Sequence, residues 1–330
     1  MNSDHPKINY GKTGILLVNL GTPDSTSWWD IRKYLKEFLS DKRVIEVNPF
    51  LWKIILFLII LNFRPSKTAK AYKEIWMEKE NMSPLRYYTI MQTKKLLDRI
   101  GGKNLIVDYA MRYGNPSISD KINKLHKAGC EKLIILPLYP QYAAATTATV
   151  CDEVYRVLMK MRWQPSLQII PHYESEPLYI NALVNSIKTK ISQLSWKPEL
   201  IIASYHGIPQ KYFDKGDPYQ CYCQKTSRLI KEKFKDINLI TTFQSRFGPD
   251  AWLQPYTDKT LEKLPKEGKK NVLVICPGFS SDCVETLEEI SIQGRDSFLG
   301  AGGKNFDIVP CLNDSEDHIN LLEKLAKDAI

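Results

Sequence analysis

The sequence predicts an α/β protein of two doubly wound domains, each a four-stranded parallel sheet flanked by helices, with a ligand cleft between them. The chain has 330 residues, too many for one ordinary core and suited to two domains of about 150 residues. Short β-branched runs alternate with amphipathic helical stretches, the pattern of a parallel sheet. These runs fall into two sets of four, which implies two sheets of similar plan.

The first set covers residues 13–20, 105–111, 133–138 and 167–171; the second covers 200–205, 239–243, 272–276 and 307–310. Helical stretches such as 117–128 and 182–194 lie between them. This places one domain at 1–175 and the other at 176–330, joined near 172–180. The last stretch, 315–329, carries Ile319, Leu322, Leu325, Ala326 and Ala329 at helical spacing. It is expected to pack back on one of the domains. Ligands of open α/β sheets sit beyond the carboxyl ends of strands, so the residues just after each strand are the candidates for chemistry.

Composition narrows the class. Charged residues make up 25% and hydrophobic residues 43%, close to globular averages. The net charge of +9 comes from cations spread along the chain with no long basic tail, which argues against nucleic acid as a partner. The seven cysteines, Cys130, Cys151, Cys221, Cys223, Cys276, Cys283 and Cys311, are odd in number and mostly far apart. They imply a reducing compartment and no disulfide framework. Residues 1–12 are polar and lack the apolar region of a secretory signal. The stretch 50–63, FLWKIILFLIILNF, is shorter than the ~20 residues that cross a bilayer. Framed by Pro49 and by Arg64-Pro65, it reads as a short helix, apolar all round. It is either a buried core helix or an interfacial lip that meets a membrane or an apolar ligand; a transmembrane span ranks below both.

After the strand at 200–205 stands His206, followed by Gly207-Ile208-Pro209. A histidine displayed at a cleft accepts protons near neutral pH or binds metal; a structural histidine bonded to a nearby carbonyl explains the position equally well. His206 is better placed than His5, His126, His172 or His318. After the strand at 272–276 a helix is expected from Asp282. There Asp282, Glu285 and Glu289 share one face. Such a stripe passes protons or handles a hard cation, although a capping box accounts for acids at a helix start. The glycines of 300–303 precede a strand and so fail the dinucleotide context. Gly21-Thr22-Pro23 suits a tight turn that brings backbone close to a ligand. Cys221 and Cys223 lack the second pair of a zinc site and are expected on a surface or loop.

The ordered set NLGTP at 19–23, SPL at 83–85, MRYG at 111–114, YPQY at 139–142 with Thr146-Thr147, SYHGIP at 204–209, FQSR at 243–246, Trp252-Leu253 and PGFSSDCVETLEE at 277–289 resembles the ferrochelatase family. Each motif alone is weak; their order over about residues 13–325 is highly specific. SYHGIP, FQSRFG, CPGFSSDCVETLEEI and FLGAGG resemble the enzyme of Gram-negative bacteria most.

The resemblance implies two Rossmann-like domains of chelatase type with a porphyrin in the cleft, and a lyase that inserts Fe²⁺ into protoporphyrin IX. His206 and Glu285 would contact iron or take pyrrole protons, with Glu289 and Asp282 continuing an acidic path behind them. Leu20, Arg112, Tyr113 and Trp252 would line or support the porphyrin pocket, and 50–63 would be the lip of the cleft, in peripheral contact with the inner membrane of a cytoplasmic enzyme. Animal relatives carry a [2Fe–2S] cluster on four cysteines; here Ala144 replaces the first, and the chain ends at Ile330 without the extension that holds the rest. No such cluster and no tightly bound cofactor is expected. Cys283 stands where some relatives have a second histidine, which puts a metal-delivery role for it in doubt. A porphyrin carrier, a chelatase for cobalt or for a coproporphyrin, and a dehydrogenase are the competing readings, the last disfavoured by the missing Gly-rich loop after the first strand.

Overall fold

A computed structural model describes residues 11–330; His5 and most of the polar 1–12 stretch lie outside the described residues. Eight strands form two parallel sheets. The first has β1 (Lys12–Thr22), β2 (Leu105–Gly114), β3 (Cys130–Pro137) and β4 (Ser166–Ile169) in the order β2-β1-β3-β4. The second has β5 (Leu200–His206), β6 (Asn238–Gln244), β7 (Asn271–Ile275) and β8 (Asn305–Ile308) in the order β6-β5-β7-β8. Each expected strand is present, within a few residues at its ends. The central strands β1 and β5 are buried on both faces, which is why they read as unbroken apolar runs (Ile15 to Val18, Leu200 to Ala203).

The helix Glu316–Lys327 packs on the first sheet: Ile319, Leu322 and Ala326 join Ile15, Leu17 and Leu96 in one core. Polar contacts reinforce this edge. Arg99 pairs with Glu316 and Glu323, and the buried amide of Gln92 donates to Ser281 Oγ at 2.9 Å and to the Asn313 carbonyl at 2.8 Å.

Three local expectations are corrected. The apolar stretch does not end at Arg64-Pro65; one continuous helix runs over Pro49–Ile75, with a wide, π-type turn at Leu56–Ile60. A proline inside a helix orphans the carbonyl four residues back, here Leu61. Arg32 Nε, on the neighbouring helix Trp28–Leu39, donates to that carbonyl at 3.1 Å and removes the penalty. Gly21 does approach backbone closely, but the partner is the next strand: a Cβ there would lie 1.8 Å from the Tyr113 carbonyl oxygen. Cys221 is exposed, as expected of a surface cysteine, but it lies on a helix, Tyr219–Lys231, and Cys223 on the same helix is buried.

Candidate active site

His206 is the last residue of β5, paired with Gln244, the last of β6. The strand is buried up to this point, and the half-buried imidazole is the first side chain to emerge at its carboxyl end. Its Nδ1 lies 2.6 Å from the Gly207 carbonyl oxygen. A carbonyl only accepts, so Nδ1 carries a proton and Nε2 is the ring nitrogen left to exchange one. Gly207 is required here: a Cβ would meet the Gln244 carbonyl at 2.9 Å and the Trp252 ring at 3.1 Å. Trp252 stands 6.4 Å from the imidazole, centroid to centroid, and its indole N–H is fixed on the Phe247 carbonyl at 3.0 Å.

The acidic segment differs from expectation. The helix begins at Glu285 instead of Asp282, and Glu285–Gly294 is a π-helix before the α-helical Arg295–Gly300. Bonds from i to i+5 widen the turn, a rare geometry that recurs at functional sites. No side chain caps its start, so the capping-box account of these carboxylates fails. Glu289 accepts from Ser245 N–H at 2.8 Å and Ser245 Oγ–H at 2.5 Å. Ser245 adopts a left-handed φ of +66°, uncommon for a residue with a side chain. Burial pushes the Glu289 carboxyl above its usual range; the Ser245 bonds and nearby His206 pull it down, while Glu285 adds to the rise. Ser204 Oγ–H donates to Gln244 Oε1 at 2.7 Å, which fixes the amide so that its NH₂ donates to the Glu285 carbonyl at 2.8 Å. One buried glutamine thus ties the His206 strand to the acidic helix.

Asp282 lies before the helix and points elsewhere. It is buried and accepts from Asn313 Nδ2 at 2.7 Å, Thr286 Oγ1 at 3.1 Å and Cys311 N–H at 3.2 Å. Glu285 faces the first domain. With Leu20, Gly21, Tyr34, Tyr72, Leu85 and Cys283 it lines a cavity of about 10 Å³. Burial holds the phenols of Tyr34 and Tyr72 un-ionised, and the charge of Glu285 adds to the effect. The Cys283 thiol is pushed up chiefly by burial, then by Glu285.

Arg112 and Tyr113 converge on Asp41. Arg112 is buried, pairs with the Asp41 carboxylate and donates from Nε to the Thr149 carbonyl at 2.8 Å; Tyr113 Oη donates to Asp41 at 2.9 Å. The structure thus groups His206, Glu289, Gln244 and Trp252 at the ends of β5 and β6, and Glu285 with Leu20. Arg112 and Tyr113 form a separate cluster below the lip, and Asp282 turns toward the Asn313 loop. Among the described residues no three His, Cys, Asp or Glu side chains form a metal-binding group. Gln244 and Ser245 were within reach of the strand-end rule that selected His206. Asp41, Tyr34 and Tyr72 carry no local signal.

Two parallel sheets of one plan, with a histidine and glutamates at the strand ends of the second, define a chelatase-type α/β protein. Solved structures agree on the fold. SirB from Bacillus subtilis with Fe³⁺ superposes with a TM-score of 0.57 at 12% identity, covering 96% of this chain and 95% of that one. The sirohydrochlorin chelatase SirB from Bacillus subtilis subspecies spizizenii in complex with cobalt gives 0.58 at 8% identity, covering 96% and 94%. The Ferrochelatase family model matches residues 12–330. Ferrochelatases of Allorhizobium ampelinum and Rhizobium meliloti are 56% and 54% identical, over 98% and 99% of this chain and 95% and 97% of theirs. The chain belongs to the ferrochelatase family. It is a lyase of haem biosynthesis that inserts metal into a porphyrin.

Proposed function

We propose that the substrates are protoporphyrin IX and Fe²⁺ and that the product is protohaem, made with His206 as proton acceptor. The observation that carries this reading is the imidazole at the end of β5, its Nδ1 tied to a carbonyl and its ring close enough to Glu289 for each to feel the other's charge. A free-base macrocycle releases two pyrrole N–H protons as the metal enters. An imidazole nitrogen with a lone pair is the side-chain acceptor best suited to such protons. Glu289, raised by burial yet held by Ser245, is suited to receive it onward. Glu285 sits where the cleft meets the first domain and is the carboxylate we assign to Fe²⁺ guidance together with His206. Binding the rest of the ring supplies the energy to distort it, so that nitrogen lone pairs tilt toward one face. Asp282, fully engaged by three donors, supports the start of the π-helix in this reading.

The propionates need a cation. Arg112 is answered by Asp41, whereas Arg64 on the long apolar helix lies 4.5 Å over the Phe247 ring, partly desolvated and without a carboxylate partner among the described residues. We assign propionate contact to Arg64. The helix Pro49–Ile75 also carries the lip. Phe50, Leu58 and Phe63 are 77%, 66% and 76% exposed, while Leu56, Leu61, Ala69 and Tyr72 are buried against the first domain. By length and composition the helix is long and apolar enough to cross a membrane, with 17% of its apolar window buried. Its packed face favours a lip lying in the inner-membrane interface of a cytoplasmic enzyme. No tightly bound cofactor enters this scheme. Anaerobic turnover of protoporphyrin IX against coproporphyrin III, with Fe²⁺ and Co²⁺, tests it. Haem formation favouring protoporphyrin and Fe²⁺ supports the assignment; tight porphyrin binding without insertion would make the chain a carrier.

A further inference from the structure

The cavity between Glu285 and the long helix, about 10 Å³, is far below the ~300–1,000 Å³ of ligand pockets. A macrocycle therefore reaches the space between Leu20 and Glu285 only if the walls of this cavity move, and packing ties several of those walls down. At one edge the two halves are joined by the buried core under helix Glu316–Lys327 and by Gln92. The long helix itself is packed on its first-domain face. A second tie between the halves is the strap of residues 40–48 that leads into that helix.

The strap is held from both domains. On its own side, Asp41 takes Arg112 and Tyr113, and Arg43 makes two bonds to Asp152 at 2.5 and 3.0 Å. Across the cleft, Tyr212 Oη accepts from the Glu46 N–H at 2.9 Å and donates to the Val44 carbonyl at 3.2 Å. Lys215 Nζ meets Glu46 Oε2 at 2.7 Å. Tyr212 is buried, so its hydroxyl is a fixed docking point. It belongs to the short helix Gln210–Asp214, entered directly from the His206-Gly207-Ile208-Pro209 turn, which is itself pinned by Leu253 N–H on the Ile208 carbonyl at 3.0 Å and Gln210 N–H on the Ala251 carbonyl at 2.9 Å. The strap thus docks on a rigid piece of the His206 end of the second domain.

We propose that Tyr212 and Lys215 are positioning residues that latch the 40–48 strap across the cleft, and that release of this latch admits the porphyrin. The proposal rests on the porphyrin reading above. The latch consists of two neutral hydrogen bonds and one exposed ion pair, each of modest net worth, as a contact that opens on every turnover should be. The first-domain anchors, a buried Arg–Asp–Tyr cluster and a two-bond Arg–Asp pair, stay in place as the pivot.

The test is the double variant Tyr212→Phe/Lys215→Met beside Lys211→Met. The last removes an exposed ion pair, Lys211–Asp250 at 2.7 Å, whose ammonium lies over the Tyr212 ring at 5.8 Å, and leaves the bonds to Val44 and Glu46 in place. Amide hydrogen exchange reads the strap, and stopped-flow fluorescence reads association of protoporphyrin IX from detergent micelles. The double variant should exchange faster at 40–48 and bind porphyrin about tenfold faster, the scale of 1.4 kcal/mol of lost latch. Insertion of Fe²⁺ into preloaded porphyrin should be unchanged, and Lys211→Met should match the wild type in all three. Faster exchange with unchanged association would overturn the gating role, and unchanged exchange would overturn the latch itself. If the wild type bound no porphyrin, the functional reading would fail, while the exchange result would still decide the latch.

Discussion

Replacing Ser245 with Ala isolates the control of Glu289. The variant removes the Oγ–H bond at 2.5 Å and keeps the backbone N–H bond at 2.8 Å. A hydrogen bond to a charged group contributes about 1.5–3 kcal/mol. Loss of this bond moves the Glu289 pKa further in the direction in which burial already pushes it, upward. The sign follows from the role. Glu289 receives protons only when ionised, so activity is lost as pH falls through its folded-state pKa, and raising that pKa moves the loss to higher pH. The acid limb of kcat/KM for Fe²⁺ insertion should therefore shift to higher pH in Ser245→Ala and stay near the wild type in Ser245→Thr. An acid limb that stayed put, or moved down, in an active Ser245→Ala enzyme would refute the relay.

Three further outcomes follow from the same structure. Arg32→Met leaves the Leu61 carbonyl beneath Pro65 without its donor and should cost about 1–3 kcal/mol, read as a lower Tm and faster exchange over the long helix; an unchanged Tm would mean that the proline is accommodated without Arg32. His318 is buried, with its pKa pushed down to about 4 by desolvation and its Nδ1 at 2.6 Å from the Asn313 carbonyl. Its folded pKa lies below the unfolded ~6.5, so the unfolded chain binds the extra proton and stability falls as pH drops through 6.5 towards 4. Wild type should lose about 2 kcal/mol between pH 7 and 5 from this group, a slope that His318→Gln should flatten; parallel slopes would discount it. Asp at Leu58 and Ile59, which are 66% and 53% exposed, should raise KM for porphyrin more than it lowers kcat, and an unaltered KM would count against the lip.

Particular residues show what the sequence discloses and what it withholds. β1 and β5 announce themselves because both faces are buried, so their central positions are continuously apolar, and the strand-end rule then leads straight to His206. The ordered motifs, more than any spacing, led to Glu285 and Glu289. The π-helix could not be read locally: no residue pattern in 285–294 marks i to i+5 bonds, and the donors to the Glu285 carbonyl and the Glu289 carboxylate, Gln244 and Ser245, come from the end of another strand. Pro65 misled for a similar reason, since a side chain on a different helix repairs its defect. The pairing of Arg112 with Asp41 is not legible, because the two lie far apart in sequence without any motif to link them.

The central claim is that His206 takes the pyrrole protons. Its most direct test is single-turnover insertion of Fe²⁺ under anaerobic conditions into enzyme preloaded with protoporphyrin IX, followed by the haem absorption bands, for wild type and His206→Ala. The account predicts that the variant binds porphyrin and folds as the wild type does but inserts metal about 10²–10⁴-fold more slowly. Insertion at a near-wild-type rate by the folded variant would contradict it.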